Sequence, residues 1–181
     1  MINSFRNNFG NYLLRKQLRT VYRNRSMVNL AHAKRIGILY SLISPSDYKD
    51  VESFVMLLQK EHKEVKALGY VQDKEMVSQF LPKLSYDFFS QQELNWYHKP
   101  MNTRVNDFIS TEYDLLIDLT REDDLPLKFI AGLSRARCKV GKFSEKNNSY
   151  YDLMIKADPS ISVSEFIKQI QHYLTIIQQH E

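Results

Sequence analysis

One cysteine, Cys138, stands in 181 residues. An intramolecular disulfide and a thiolate-built zinc site are therefore both excluded, and a reducing compartment, the cytoplasm, is the expected home. No run of 18 apolar residues exists, so no transmembrane helix is expected. No apolar segment with a small-residue cleavage site follows the N-terminus, which argues against secretion. Glycine is scarce: Gly10, Gly37, Gly69, Gly132 and Gly141 are all there are. None of them falls in a strand-to-helix turn after the first, second or fourth expected strand. A phosphate-cradling loop exposes backbone N–H groups where a Cβ would intrude, and G-x-G-x-x-G, Walker and G-x-S-x-G motifs are missing. Dinucleotide, ATP and ester-hydrolase chemistry lose their usual signatures with them, and no cofactor is implied. The five histidines, His32, His62, His98, His172 and His180, show no i, i+2 or i, i+4 pair, so no local metal site is expected.

Acid is missing from one region altogether. Residues 1–35 hold Arg6, Arg15, Lys16, Arg19, Arg23, Arg25, Lys34 and Arg35 and neither Asp nor Glu. The rest of the chain carries 17 basic and 21 acidic residues, so the overall charge of +4 combines a basic arm with a mildly acidic body. Such an imbalance speaks of partners rather than of fold. The apolar share of 43% supplies a core, and a chain of this length buries about 70% of its unfolded surface.

Two short, almost wholly apolar runs organise the body: 35–41 (RIGILYS) and 113–119 (YDLLIDL). Runs of this kind read as strands covered by helices on both faces. Further strands are expected at Glu64–Val71, Leu84–Phe89 and Cys138–Phe143, with a sixth at Tyr150–Ile155. Only residues 144–149 separate the last two, and a parallel crossover needs a dozen or more residues, so the sixth strand is expected to lie antiparallel at an edge. Helices are expected after Ser46 or Asp47, at Lys74–Leu81 before Pro82, at Thr103–Ser110, after Asp123 or Asp124 with Pro126 in the first turn, and after the capping box Ser162–Glu165. This alternation predicts an α/β, three-layer, doubly wound and mostly parallel sheet of order 3-2-1-4-5. Residues 4–23 form a basic amphipathic helix, with Phe5, Phe9, Tyr12, Leu13 and Val21 at roughly helical spacing, and 23–33 link it to the first strand. The expected division is an arm at 1–34 and a Rossmann-like domain at 35–181.

Ligands of doubly wound sheets gather at the carboxyl ends of the strands where the winding reverses. With the two apolar strands adjacent, that point collects Ser41, Ser44, Asp118, Thr120 and Arg121. Asp118, inside the end of a buried strand, is the functional candidate, and the plainer alternative is a carboxylate that accepts loop N–H bonds. Trp96, the only tryptophan, lies beside Tyr97 and His98 on an aperiodic segment and is a second ligand candidate; a lone Trp also plugs core edges. Cys138 between Arg137 and Lys139 is read as a small buried hydrophobe.

For the arm, Arg15, Lys16, Arg19, Arg23 and Arg25 are the candidate partner contacts. They suit a nucleic acid, an anionic membrane surface with Phe5, Phe9 and Leu13 inserted, or a protein partner. The apolar stripe can also pack on this chain or on a second copy of it, a homo-oligomer, with the charges merely solvated.

The run 113–119 followed by 126–141 (PLKFIAGLSRARCKVG) resembles the amino-terminal half of the lipopolysaccharide heptosyltransferases, where a similar strand leads to a small-residue helix and a further strand. The whole chain is similar to a family of short, uncharacterised bacterial proteins of this layout. The resemblance implies a Rossmann-like half-domain. It carries no activity over, because the sugar-nucleotide site of those transferases lies mostly in a second domain and their glycine-containing loop after the first strand has no counterpart here. Two functions follow as expectations. The first is a non-catalytic module that binds an anionic or protein partner through the arm. The alternative is a small-molecule-binding protein or glycosyltransferase-like enzyme that uses the crevice beside Asp118.

Overall fold

A computed structural model describes residues 2–72 and 84–177. Within them the order is α1 (Ile2–Leu18), β1 (Arg35–Leu42), α2 (Pro45–Lys60), β2 (Glu64–Val71), β3 (Tyr86–Ser90), α3 (Thr103–Ser110), β4 (Leu115–Asp118), α4 (Leu125–Leu133), β5 (Cys138–Lys142), β6 (Leu153–Ile155) and α5 (Val163–Ile176). The helix expected at Lys74–Leu81 lies outside the described residues.

The six strands form one sheet of order β3-β2-β1-β4-β5-β6. The two apolar runs are neighbours, with Ile36 opposite Leu115 and Leu39 opposite Asp118. Alternation along each strand assigns the faces. Ile36, Ile38, Leu115, Ile117, Cys138 and Val140 share one core with Val51, Phe54, Phe166 and Ile170 of α2 and α5. Leu39, Leu68 and Leu116 join Val105, Phe108, Leu127 and Ile130 of α3 and α4 in the other. Asp118 has the same parity as Leu116 and so points to the α4 side.

The edge strand corrects one expectation: β6 runs parallel to β5, with Val140 opposite Leu153 and Lys142 opposite Ile155. Tyr150–Asp152 belong to the return limb rather than to the strand. The connection is therefore 143–152, and it has only the length of a five-residue strand to retrace. Its backbone includes a 3-10 turn at Glu145–Asn147, while the buried Tyr150 ring and Tyr151 supply the cover that a crossover helix ordinarily gives.

Local capping explains two smaller differences. Helix α2 is capped by Ser44, not by Ser46 or Asp47; Asp47 is the third helical residue and completes a capping box by accepting the Ser44 N–H at 2.9 Å. Helix α1 stops at Leu18 because the Thr20 hydroxyl takes the Gln17 carbonyl at 2.8 Å in place of a continued helical bond.

The expected linker is a packed strap. Val28, Leu30 and Ala33 enter the α2/α5 core, and Asn29 caps the carbonyl end of α5 by donating to Thr175 O and Ile177 O, both at 2.9 Å. Lys63, 8% exposed, spends its ammonium on three strap carbonyls, those of Leu30, Ala31 and Ala33, at 2.8–3.2 Å. Buried carbonyls without such a donor would be costly, so the lysine holds the turn of the strap. Helix α1 lies on α4. Leu14 is fully buried with Phe129 and Tyr150, and a Cβ on Gly10 would stand 2.5 Å from the Tyr97 carbonyl oxygen, so glycine permits the contact.

Candidate functional site

At the carboxyl ends of β4 and β5 a cavity of about 190 Å³ opens beside Asp118. Its wall comes from the loop after β4, the start of α4 and the limb after β5, so it lies on the α4 side of β4 and β5 rather than between β1 and β4, where the winding reverses. Thr120 and Arg121 also line it, as expected. Leu127, Lys128, Lys142, Phe143, Asn147 and Tyr151 complete much of the wall.

Asp118 is 2% exposed. It accepts the Tyr151 hydroxyl at 2.6 Å on one oxygen and the Thr120 N–H at 2.8 Å on the other. Burial raises its pKa above the usual carboxylate range, against the opposing pull of the Thr120 hydroxyl, the Tyr151 phenol and the Thr120 N–H. The same burial, reinforced by Asp118 itself, holds the Tyr151 phenol protonated well past its ordinary range. Asp124 is raised as well, by burial and then by Glu122, with Gln72 and Ser41 pulling the other way. The pair Asp118–Tyr151 is thus a fixed, closed hydrogen bond at the floor of the cavity.

Gly141 makes that bond reachable. A Cβ there would sit 2.7 Å from two ring carbons of Tyr151, so the ring can lie flat on β5 only because residue 141 has no side chain. Gly141→Ala is expected to lift the ring off Asp118 and cost about 1–3 kcal/mol of stability, the usual range for overpacking. Urea denaturation of Gly141→Ala, Tyr151→Phe and the double variant checks this. The two losses should be partly non-additive, because both remove the same hydrogen bond while the phenylalanine ring keeps the clash.

Polar groups in and near the wall differ in how well they are served. Arg121 donates to Asp47 at 3.0 Å and ties the loop after β4 to the start of α2. Lys128 pairs with Asp123. Lys142 reaches only two carbonyls, Arg121 O at 3.3 Å and Asp158 O at 3.5 Å. Asn147 Oδ1 is shut off from water without a hydrogen-bond partner among the described residues, and the Thr120 hydroxyl lies close enough to Asp118 to favour its carboxylate. No cluster of three His, Cys, Asp or Glu side chains suited to a metal ion occurs among those residues.

The remaining expected ligand contacts separate. Ser41 is buried at the end of β1 next to Asp124. Ser44 is the α2 cap. Trp96 is not part of the cavity wall: its ring stacks on Phe9 of α1 at 4.8 Å, and its carbonyl accepts from Arg6, so its loop is the seat of the arm. Tyr151, Lys142 and Asn147 were missed because they sit on a connection read as loop and strand. Gly141, an unexplained glycine within a strand, was the one available signal of a close approach.

The arm's candidates divide too. Arg15, Lys16, Arg19 and Arg25 are exposed on the outer side. Arg23 turns inward. Its guanidinium makes a two-pronged pair with Asp152 at 2.6 and 2.7 Å and adds the carbonyls of Ala136 and Arg137 at 3.2 Å, with a side chain only 4% exposed. No helix among the described residues is long and apolar enough to cross a membrane.

Comparison with known proteins adds one placement: no curated protein and no solved structure matches, while a family description matches residues 6–177, arm and body together. The chain therefore belongs to the family of unknown function DUF6913.

Proposed function

We propose that this chain is a binding module for a small, neutral, hydroxyl-bearing ring, held in the cavity beside Asp118. The observation that carries the reading is the make-up of the cavity wall, which sets the Lys142 ammonium, held by two carbonyls at 3.3 and 3.5 Å, among carboxylates and beside two apolar side chains. An ammonium only donates, so the ligand has to bring an acceptor, which a hydroxyl oxygen supplies. The wall balances Arg121, Lys128 and Lys142 against Asp118, Glu122, Asp123 and Asp124. That near balance gives an anion such as phosphate no strong net attraction while giving a neutral molecule both donors and acceptors. Leu127 and Phe143 offer an apolar side to the C–H face of a ring. The volume lies below the roughly 300–1,000 Å³ of drug-sized sites, which limits the ligand to a single ring.

A ring of this size binds with a Kd on the order of 1 mM. Amide NMR titration of the full chain with myo-inositol, D-ribose and inorganic phosphate tests it. At least one neutral ring should shift Thr120, Gly141 and Asn147, and phosphate should not. Lys142→Met, which removes an ammonium held by two long carbonyl contacts, should fold and lose the shifts. Shifts from phosphate alone, silence with both rings, or undiminished binding by Lys142→Met would each end the proposal.

A further inference from the structure

The outer face of the arm is a separate surface, and its composition is specific. Arg15, Lys16, Arg19 and Arg25 are exposed, and none has an ion-pair partner among the described residues. The fold adds a cation from far along the chain. The strap is bonded to the turn between α4 and β5, where Ser26 N–H donates to the Arg137 carbonyl at 3.1 Å and Arg23 grips the carbonyls of Ala136 and Arg137. That turn carries the exposed Arg135. Among these cations stands Tyr22, 90% exposed, a ring almost wholly in water.

We infer that this face binds single-stranded nucleic acid. Five exposed cations without ion-pair partners, on the arm, the strap and the turn bonded to it, match a phosphate backbone. An aromatic ring free in solvent among arginines matches an unstacked base, which a duplex does not present. The same geometry argues against a lipid surface. Insertion needs the apolar side of α1, but Leu14 is fully buried on α4 and Phe9 is stacked on Trp96. Lifting α1 into a bilayer would strip Phe129 and Tyr150 of their cover. The face also lies toward the amino ends of the strands, at the turn leading into β5, away from the cavity beside Asp118. The two proposals therefore stand or fall independently.

Fluorescence anisotropy with labelled 12-nucleotide single strands of RNA and of DNA, the matching duplexes, and phosphatidylserine-containing vesicles tests the inference on the full chain. Single strands should bind best, with log Kd changing against log salt with a slope of about 3–4 for five phosphate contacts. Arg15→Glu/Lys16→Glu/Arg19→Glu on the arm, and Arg25→Glu/Arg135→Glu beside it, should each weaken binding at least about 100-fold at low salt. Tyr22→Ala should cost about 10-fold and leave the salt slope unchanged, as expected for a stacking contact. All three variants alter solvated side chains and should keep the wild-type Tm. Vesicle binding without strand binding, duplex binding equal to single-strand binding, or a Tyr22→Ala variant indistinguishable from wild type would overturn it.

Discussion

Arg23→Met is expected to destabilise the folded chain by about 3–5 kcal/mol, the range for breaking a buried ion pair by removing one partner. Asp152 would be left with a charge, one remaining N–H donor from Lys139 at 2.9 Å, and little water. The carbonyls of Ala136 and Arg137 would lose a donor as well. The effect is large because the pair joins three separate parts of the chain: the strap after α1, the turn before β5 and the end of the return limb into β6. Urea denaturation measures it, with Arg19→Met as the control. Arg19 is exposed, and surface substitutions of that kind usually stay within about 0.5 kcal/mol. A loss at Arg23 no larger than at Arg19 would remove the pair from any account of this fold. The distinction also matters for the arm. A charge-reversal set that included Arg23 would lose binding through unfolding and would say nothing about a partner.

Stability should rise by about 1–2 kcal/mol between pH 7 and pH 9 because of Lys139. This lysine is 1% exposed, and its ammonium donates to the Gly132 carbonyl at 2.9 Å. Burial first, then the cations of Arg23 and Arg25 against the help of Asp152, pulls its pKa down to about 7. Below that pH both the folded and the unfolded chain hold the proton, and the folded one bears the full desolvation cost. Above it the folded chain releases the proton while the unfolded chain keeps it to about 10.5. The unfolded state then binds more protons, and stability increases with pH. The window closes near pH 9, where burial holds the Cys138 thiol up at about 11 while the unfolded thiol ionises, a contribution of opposite sign. Chemical denaturation across the interval checks this, and Lys139→Met should flatten the rise. Arg23→Met ties the two expectations together. Without the guanidinium, Asp152 is free to favour the Lys139 ammonium, and the rise should move to higher pH. An unchanged slope in Lys139→Met would show that another group controls the interval.

Much of the architecture was readable from local pattern. The runs at 35–41 and 113–119 are almost wholly apolar, and strands of that kind belong in the middle of a sheet, which is where burial put them, side by side. Ser162 and Glu165 marked the start of α5 because a capping box is satisfied within four residues. Asp118 and Thr120 were placed at the cavity by their position after a buried strand. The partners of those residues were beyond reach. Nothing within a few positions of Tyr151 announces that its hydroxyl ends on Asp118, and nothing near Arg23 announces Asp152. Both depend on how the limb 143–152 returns across β5. The expected antiparallel edge failed for the same reason, since the minimum length of a crossover depends on how far back the chain must travel, and β6 is only three residues long.

The order of residues by itself determined the central strands and their pairing, the start of α5 and an acid-free arm. Each of these is decided by neighbours a few positions apart or by the sum of burial along one segment. Only the tertiary structure decided which arginines of that arm face water, what covers its apolar side, and which groups meet around Asp118. Those outcomes rest on contacts between residues more than a hundred positions apart in the case of Arg23 and Asp152 and 33 apart for Asp118 and Tyr151. Separations of that size are closed by the packing of the whole sheet, and no local rule of helix, strand or turn encodes them.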